Sequence, residues 1–112
     1  MFTTSQKQRA VKHLSPSNRT AIEHYLKGAV AAWIKAKGCN PFAARDLMGG
    51  INKNWMGTPC EVLYLHHQPK GVPAIVLKSA GQDLGWILRD VLRADRRTFT
   101  VCRKGQTCAY QY

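Results

Sequence analysis

Ala74-Ile75-Val76-Leu77-Lys78-Ser79-Ala80-Gly81-Gln82-Asp83-Leu84-Gly85-Trp86-Ile87-Leu88-Arg89-Asp90-Val91-Leu92-Arg93-Ala94-Asp95-Arg96-Arg97 is the stretch on which the architecture turns. Its punctuation predicts two short helices. Val72-Pro73 opens a first helix over residues 74–80, and Gly81 closes it. Asp83 is placed to cap a second helix from Leu84 to about Asp95. In that second helix Leu84, Ile87, Leu88 and Val91 recur at i, i+3, i+4 and i+7, so they form a face for the core. Trp86, Arg89, Arg93 and Arg96 share the opposite side, with Arg97 next to it. Asp90 lies within i, i+3 reach of Arg93.

Working towards the N-terminus, the segments around this stretch also read as helices. Ser15-Pro16 has the form of an N-cap followed by proline at the first helical position, and Thr20-Ala21-Ile22-Glu23 offers a second start of the capping-box type. From there Ile22, Leu26, Ala29, Val30, Trp33 and Ile34 recur at helical spacing, and Gly38 ends the run. Lys27, Lys35 and Lys37 take the other side and read as solvating residues. Asn40-Pro41 predicts a second, short helix to about Met48, stopped by Gly49-Gly50. Residues 49–57 read as a loop, with Trp55 either anchoring it on the core or serving a binding loop. Thr58-Pro59-Cys60-Glu61 combines a capping box with a proline, which favours a helix to about His67 over the strand-like content of Val62-Leu63-Tyr64-Leu65. Gln68-Pro69-Lys70-Gly71 is a turn.

Towards the C-terminus the period changes from helical to alternating. Residues 98–103 and 106–112 flank Lys104-Gly105, which predicts a β-hairpin pairing Phe99 with Tyr110 and Val101 with Cys108. The fold class is therefore mainly α: a small multi-helix domain with a C-terminal β-hairpin at about residues 98–112. Residues 1–14 read as a basic N-terminal arm or loose helix, and residues 15–112 as a single globular domain.

Composition bounds the function. The chain has 112 residues, 17 Lys plus Arg against 6 Asp plus Glu, and a net charge of +11. Three Trp, four Tyr and three Phe, with 45% hydrophobic residues, exclude a disordered polycation. The longest apolar run, Gly28 to Ile34, is far short of the roughly 20 residues that cross a bilayer. The first twenty residues hold Lys7, Arg9, Lys12 and Arg19 and no apolar core segment, so neither a signal peptide nor a membrane partner is expected. Cys39, Cys60, Cys102 and Cys108 form no C-x-x-C and the histidines no metal-ligand spacing. Free thiols in a reducing, cytoplasmic compartment and no metal or other cofactor are expected. His66-His67 point about 100° apart on a helix and read as surface or helix-end residues, not as acid–base partners.

A helix closed by Gly81, a polar cap two residues later and apolar Ile87 six residues later have the layout of a helix-turn-helix unit over 74–97. Leu77 stands where that unit usually has a small residue, and Gln82 where it usually has an apolar one. With the basic charge, this layout predicts a non-catalytic nucleic-acid-binding or regulatory protein, with DNA ahead of RNA as partner. Trp86, Arg89, Arg93, Arg96, Arg97, Arg103 and Lys104 are the expected contacts, joined by Lys7, Arg9, Lys12 and Arg19 from the arm. Arg holds phosphate through paired hydrogen bonds and stacks on bases, as Trp does. A second reading of the same charge is a mobile-element or phage-type inhibitor that covers an acidic surface on a host nucleic-acid enzyme. A third is a metal-free toxin-type ribonuclease, which needs only a base, an acid and a phosphate site. A dimer is an expectation by analogy with duplex readers.

Overall fold

The first long helix, α1 (Pro16–Lys37), begins and ends where the local chemistry places its limits. The Ser15 side chain accepts a hydrogen bond from the Asn18 amide at 3.2 Å, and Pro16 takes the first turn. Gly38 adopts φ +62°, the left-handed region, and its amide donates to the Ile34 carbonyl at 2.9 Å. Ile22, Leu26 and Val30 are buried, and Tyr25, Trp33 and Ile34 pack partly against the same core. The computed structural model describes residues 2–3, 14–48, 55–104 and 107–112.

The predicted helix-turn-helix does not form. Residues 74–94 belong to one continuous helix, here called α4 (Pro73–Ala94), with no turn at Gly81–Asp83, and residues 95–97 lie beyond its end. The apolar stripe explains why. Val76, Ala80, Leu84, Ile87, Leu88, Val91 and Leu92 are all buried, and their spacing keeps one helical phase across Gly81. A break there would rotate Val76 and Ala80 out of the core. A mid-helix glycine costs about 1 kcal/mol, less than the roughly 1.5–3 kcal/mol from burying one large apolar side chain. Asp83 does not cap a second helix; it holds His67 instead.

Two short helices lie between the long ones. The predicted helix from Asn40-Pro41 starts later, as α2 (Ala44–Leu47). Phe42 exchanges two backbone hydrogen bonds with Tyr110, at 2.9 and 2.8 Å, which keeps the chain extended up to that point. The Asp46 carboxylate then accepts from the Ala43 amide at 2.8 Å. Helix α3 (Glu61–His67) confirms helix over strand, although residues 58–60 form a turn before it. The Thr58 hydroxyl accepts from the Cys60 amide, and the Glu61 carboxylate accepts from the Gly57 amide. Trp55 is buried in the core cluster, while residues 49–54 of the predicted loop lie outside the described residues. A 3₁₀ turn over Gln68–Lys70 leads into α4.

The C-terminal hairpin is present in a different register. Strands β2 (Phe99–Lys104) and β3 (Thr107–Gln111) pair Val101 with Tyr110 and Arg103 with Cys108. This is a shift of two residues from the expected pairing of Phe99 with Tyr110 and Val101 with Cys108. A two-residue shift preserves which side chains share a face, so the prediction that Phe99 and Tyr110 face the core survives it. Phe99 meets Tyr112 instead, with ring centroids 5.8 Å apart. Phe42 joins this aromatic group at 6.1 Å from Phe99 and 6.2 Å from Tyr110, and Trp33 reaches it from α1 at 5.9 Å. Strand β1 (Phe2–Thr3) pairs in parallel with β2, so the predicted arm or loose helix meets the domain as a strand at these two residues. The rest of that segment, 4–13, lies outside the described residues.

Candidate nucleic-acid interface

The charges sort into an inner and an outer set. All six carboxylates have partners within the fold. Glu23 and Asp90 both bind Arg19, the first at 3.2 Å. Asp46 and Glu61 accept from the amides at the starts of α2 and α3. Asp83 meets His67 Nε2 at 2.7 Å, and Asp95 binds Arg97. Against these, Lys27, Lys35, Lys37, Lys78, Arg93 and Arg96 are exposed.

The predicted arginine face of α4 is broken up by this sorting. Arg89 is only 3% exposed, its guanidinium carbon 5.1 Å from the centre of the Trp86 ring. It therefore lies in the interior and is not an outer contact, and Trp86 is half-buried beside it. The second half of α4 is packed on more than its apolar stripe, which helical periodicity alone does not reveal. Asp90 pairs with Arg19 on α1, where the sequence had suggested Arg93. Arg19, expected in a basic arm, is a residue of α1 that ties the two long helices together.

Arg97 is similarly committed. Its Nε and Nη2 donate to the two oxygens of Asp95 at 3.0 and 2.8 Å, and its amide donates to the same carboxylate at 2.8 Å. The hydrogen bonds from Arg97 hold the Asp95 carboxyl below its ordinary range, and those to Asp95 raise the guanidinium. Of the predicted α4 contacts, Arg93 and Arg96 remain on the surface. Arg103 and Lys104 are the last two residues of β2. Lys7, Arg9 and Lys12 lie outside the described residues.

No family model, no curated protein and no solved structure matches the chain. The functional reading therefore rests on the charges and their placement.

The outer side of α1 is the basic surface that sequence reasoning passed over. Thr20, Ala21, His24, Lys27, Gly28, Ala31, Ala32 and Lys35 are all exposed along it. The one acid of the helix, Glu23, is turned towards Arg19. In the sequence the only signal is three lysines after Glu23 with no further acid in the helix, a pattern that an ordinary solvated face shares.

The remaining titratable groups have structural places. His67 joins α3 to α4 through Asp83, and the His66 ring lies edge-on to it with centroids 4.8 Å apart. Cys60 is buried, and desolvation pushes its thiol up to about 12, so it is held as an unreactive thiol. Cys39 is exposed, and neither it nor Cys60 or Cys102 forms a disulfide. Among the described residues no helix is long and apolar enough to cross a membrane.

Proposed function

We propose that the protein is a small, non-catalytic binding module for nucleic acid. The observation that supports this is the segregation of charge: all six side-chain carboxylates have partners within the fold, while Lys27, Lys35, Lys37, Lys78, Arg93 and Arg96 are exposed. The chain carries a net charge of +11, and among the described residues these six cations lie at the surface while the carboxylates are engaged. Such a field draws in polyanions, and phosphate contacts supply most of the affinity in nucleic-acid binding. The carboxylates stabilise helix starts and inter-helix contacts and do not converge on a common point, which favours binding over catalysis.

A salt series tests the proposal. Affinity for a random-sequence DNA duplex and for a random single strand is measured by fluorescence anisotropy. A linear fall of log affinity with log salt is expected for the bound form. No binding of either probe at about 50 mM salt would leave the acidic protein surface as the partner to pursue. Shortening of a labelled RNA on incubation would replace binding by cleavage.

A further inference from the structure

We infer that the outer face of α1 is the surface that contacts nucleic acid, and that it binds the phosphate backbone of a duplex without reading sequence. This inference rests on the proposed function and adds the site, the form of the partner and the mode of contact. Lys27 and Lys35 are both exposed and eight residues apart, about 12 Å along a helix, which matches the width of a duplex major groove. They are therefore spaced to reach phosphates on its two sides. Lys37, in the last turn, lies on another side of the helix from Lys35 and suits the negative pole of the helix.

Between the lysines the face is low. Gly28, Ala31 and Ala32 are exposed, and a Cβ built on Gly28 meets no other atom within 4 Å. A helix with this surface can approach a backbone closely. These side chains carry no donor or acceptor for base edges, so the contact is to phosphate and not to sequence. Apart from the His24 imidazole no aromatic ring is exposed on the face: Tyr25 and Trp33 are partly buried against the core, and the Trp33 indole donates to the Asn40 carbonyl. Single-strand binding depends on aromatic stacking, so the duplex is the better fit. The predicted arginine face at α4 and just past its end is reduced to Arg93 and Arg96 by the burial of Arg89 and the commitment of Arg97 to Asp95.

The test compares three variants with the wild type on a random-sequence DNA duplex, each first shown by circular dichroism to keep its helix content. Lys27→Gln with Lys35→Gln should reduce the slope of log affinity against log salt by about 2, at about 0.9 per phosphate contact. Ala31→Glu places an acid in the middle of the face without touching the core, and should weaken binding about tenfold at low salt. Arg93→Gln with Arg96→Gln should leave the slope unchanged. If the α1 variants bind like the wild type while the Arg93 and Arg96 variant loses slope, the site assignment is overturned and nucleic-acid binding stands. Binding of a single strand as tightly as the duplex overturns the duplex assignment. A wild type that binds no nucleic acid removes the underlying function and this inference with it.

Discussion

Helices α1 and α4 are equally long, at 22 residues each, and both begin with a proline, yet they do opposite work. α4 lies at the centre of the domain, with eight buried residues, one of them an arginine. α1 buries three and turns most of its surface outward. Two basic helices in one small chain thus have different fates because of what surrounds them. On α4 Arg89 is buried against Trp86, and just past its end Arg97 is bound to Asp95; on α1 the only acid is turned to Arg19 and the lysines are left on the surface. The density of charge along a sequence is therefore a poor guide to where charge is presented.

The most direct way to break this comparison is through the core. Leu88→Ala, at a fully buried position of α4, should cost about 2–5 kcal/mol in urea unfolding, whereas Ala32→Ser on the outer side of α1 should stay within about 0.5 kcal/mol. Equal effects would show that the two helices are not differently placed.

Gly81 provides a smaller and sharper test, because it separates a continuous α4 from two helices. Among the described glycines, positive φ is confined to Gly38, Gly57 and Gly71, and a Cβ on Gly81 meets nothing within 4 Å. Gly81→Ala should therefore raise stability by about 0.5–1 kcal/mol. A loss of stability in thermal or urea unfolding would mean that the chain turns at this point.

The smallest expected effect is at the end of α4, where Asp95 and Arg97 pair. The Asp95 carboxyl is held below its ordinary 3.8, so its contribution is fully present above that pH and is lost as pH falls through the lowered value. Asp95→Asn should accordingly be less stable than the wild type at neutral pH, and the gap should close on acidification. A gap that persists at acid pH would show that the carboxylate charge is not what holds Arg97.

Much of the fold was legible because helices are local objects. Ser15-Pro16 and Gly38 mark α1 and a period of two at the C-terminus marks the hairpin, while residues 61–67 are helix as expected but start at Glu61 after Cys60, without the expected capping box at Thr58. At 74–94 the local signals of Gly81 and Asp83 are overridden because the apolar stripe keeps phase through them. The departures at Leu77 and Gln82 already pointed that way. The candidate site was less legible, because exposure of a basic side chain depends on residues far along the chain. Arg93 lost its expected partner to Arg19, 71 residues before Asp90.

By itself the sequence determined the helical class, the limits of α1, the core stripe of α4, the facing of the hairpin and the sign of the surface field, all of which follow from periodicity, caps and composition. Only the tertiary structure decided the continuity of α4 under packing, the late start of α2 where Phe42 meets Tyr110, the two-residue shift of the hairpin and the removal of Arg89 from the surface. Each of these depends on which distant groups the compact chain brings together, and burial and pairing across such distances outweigh local preferences of about 1 kcal/mol.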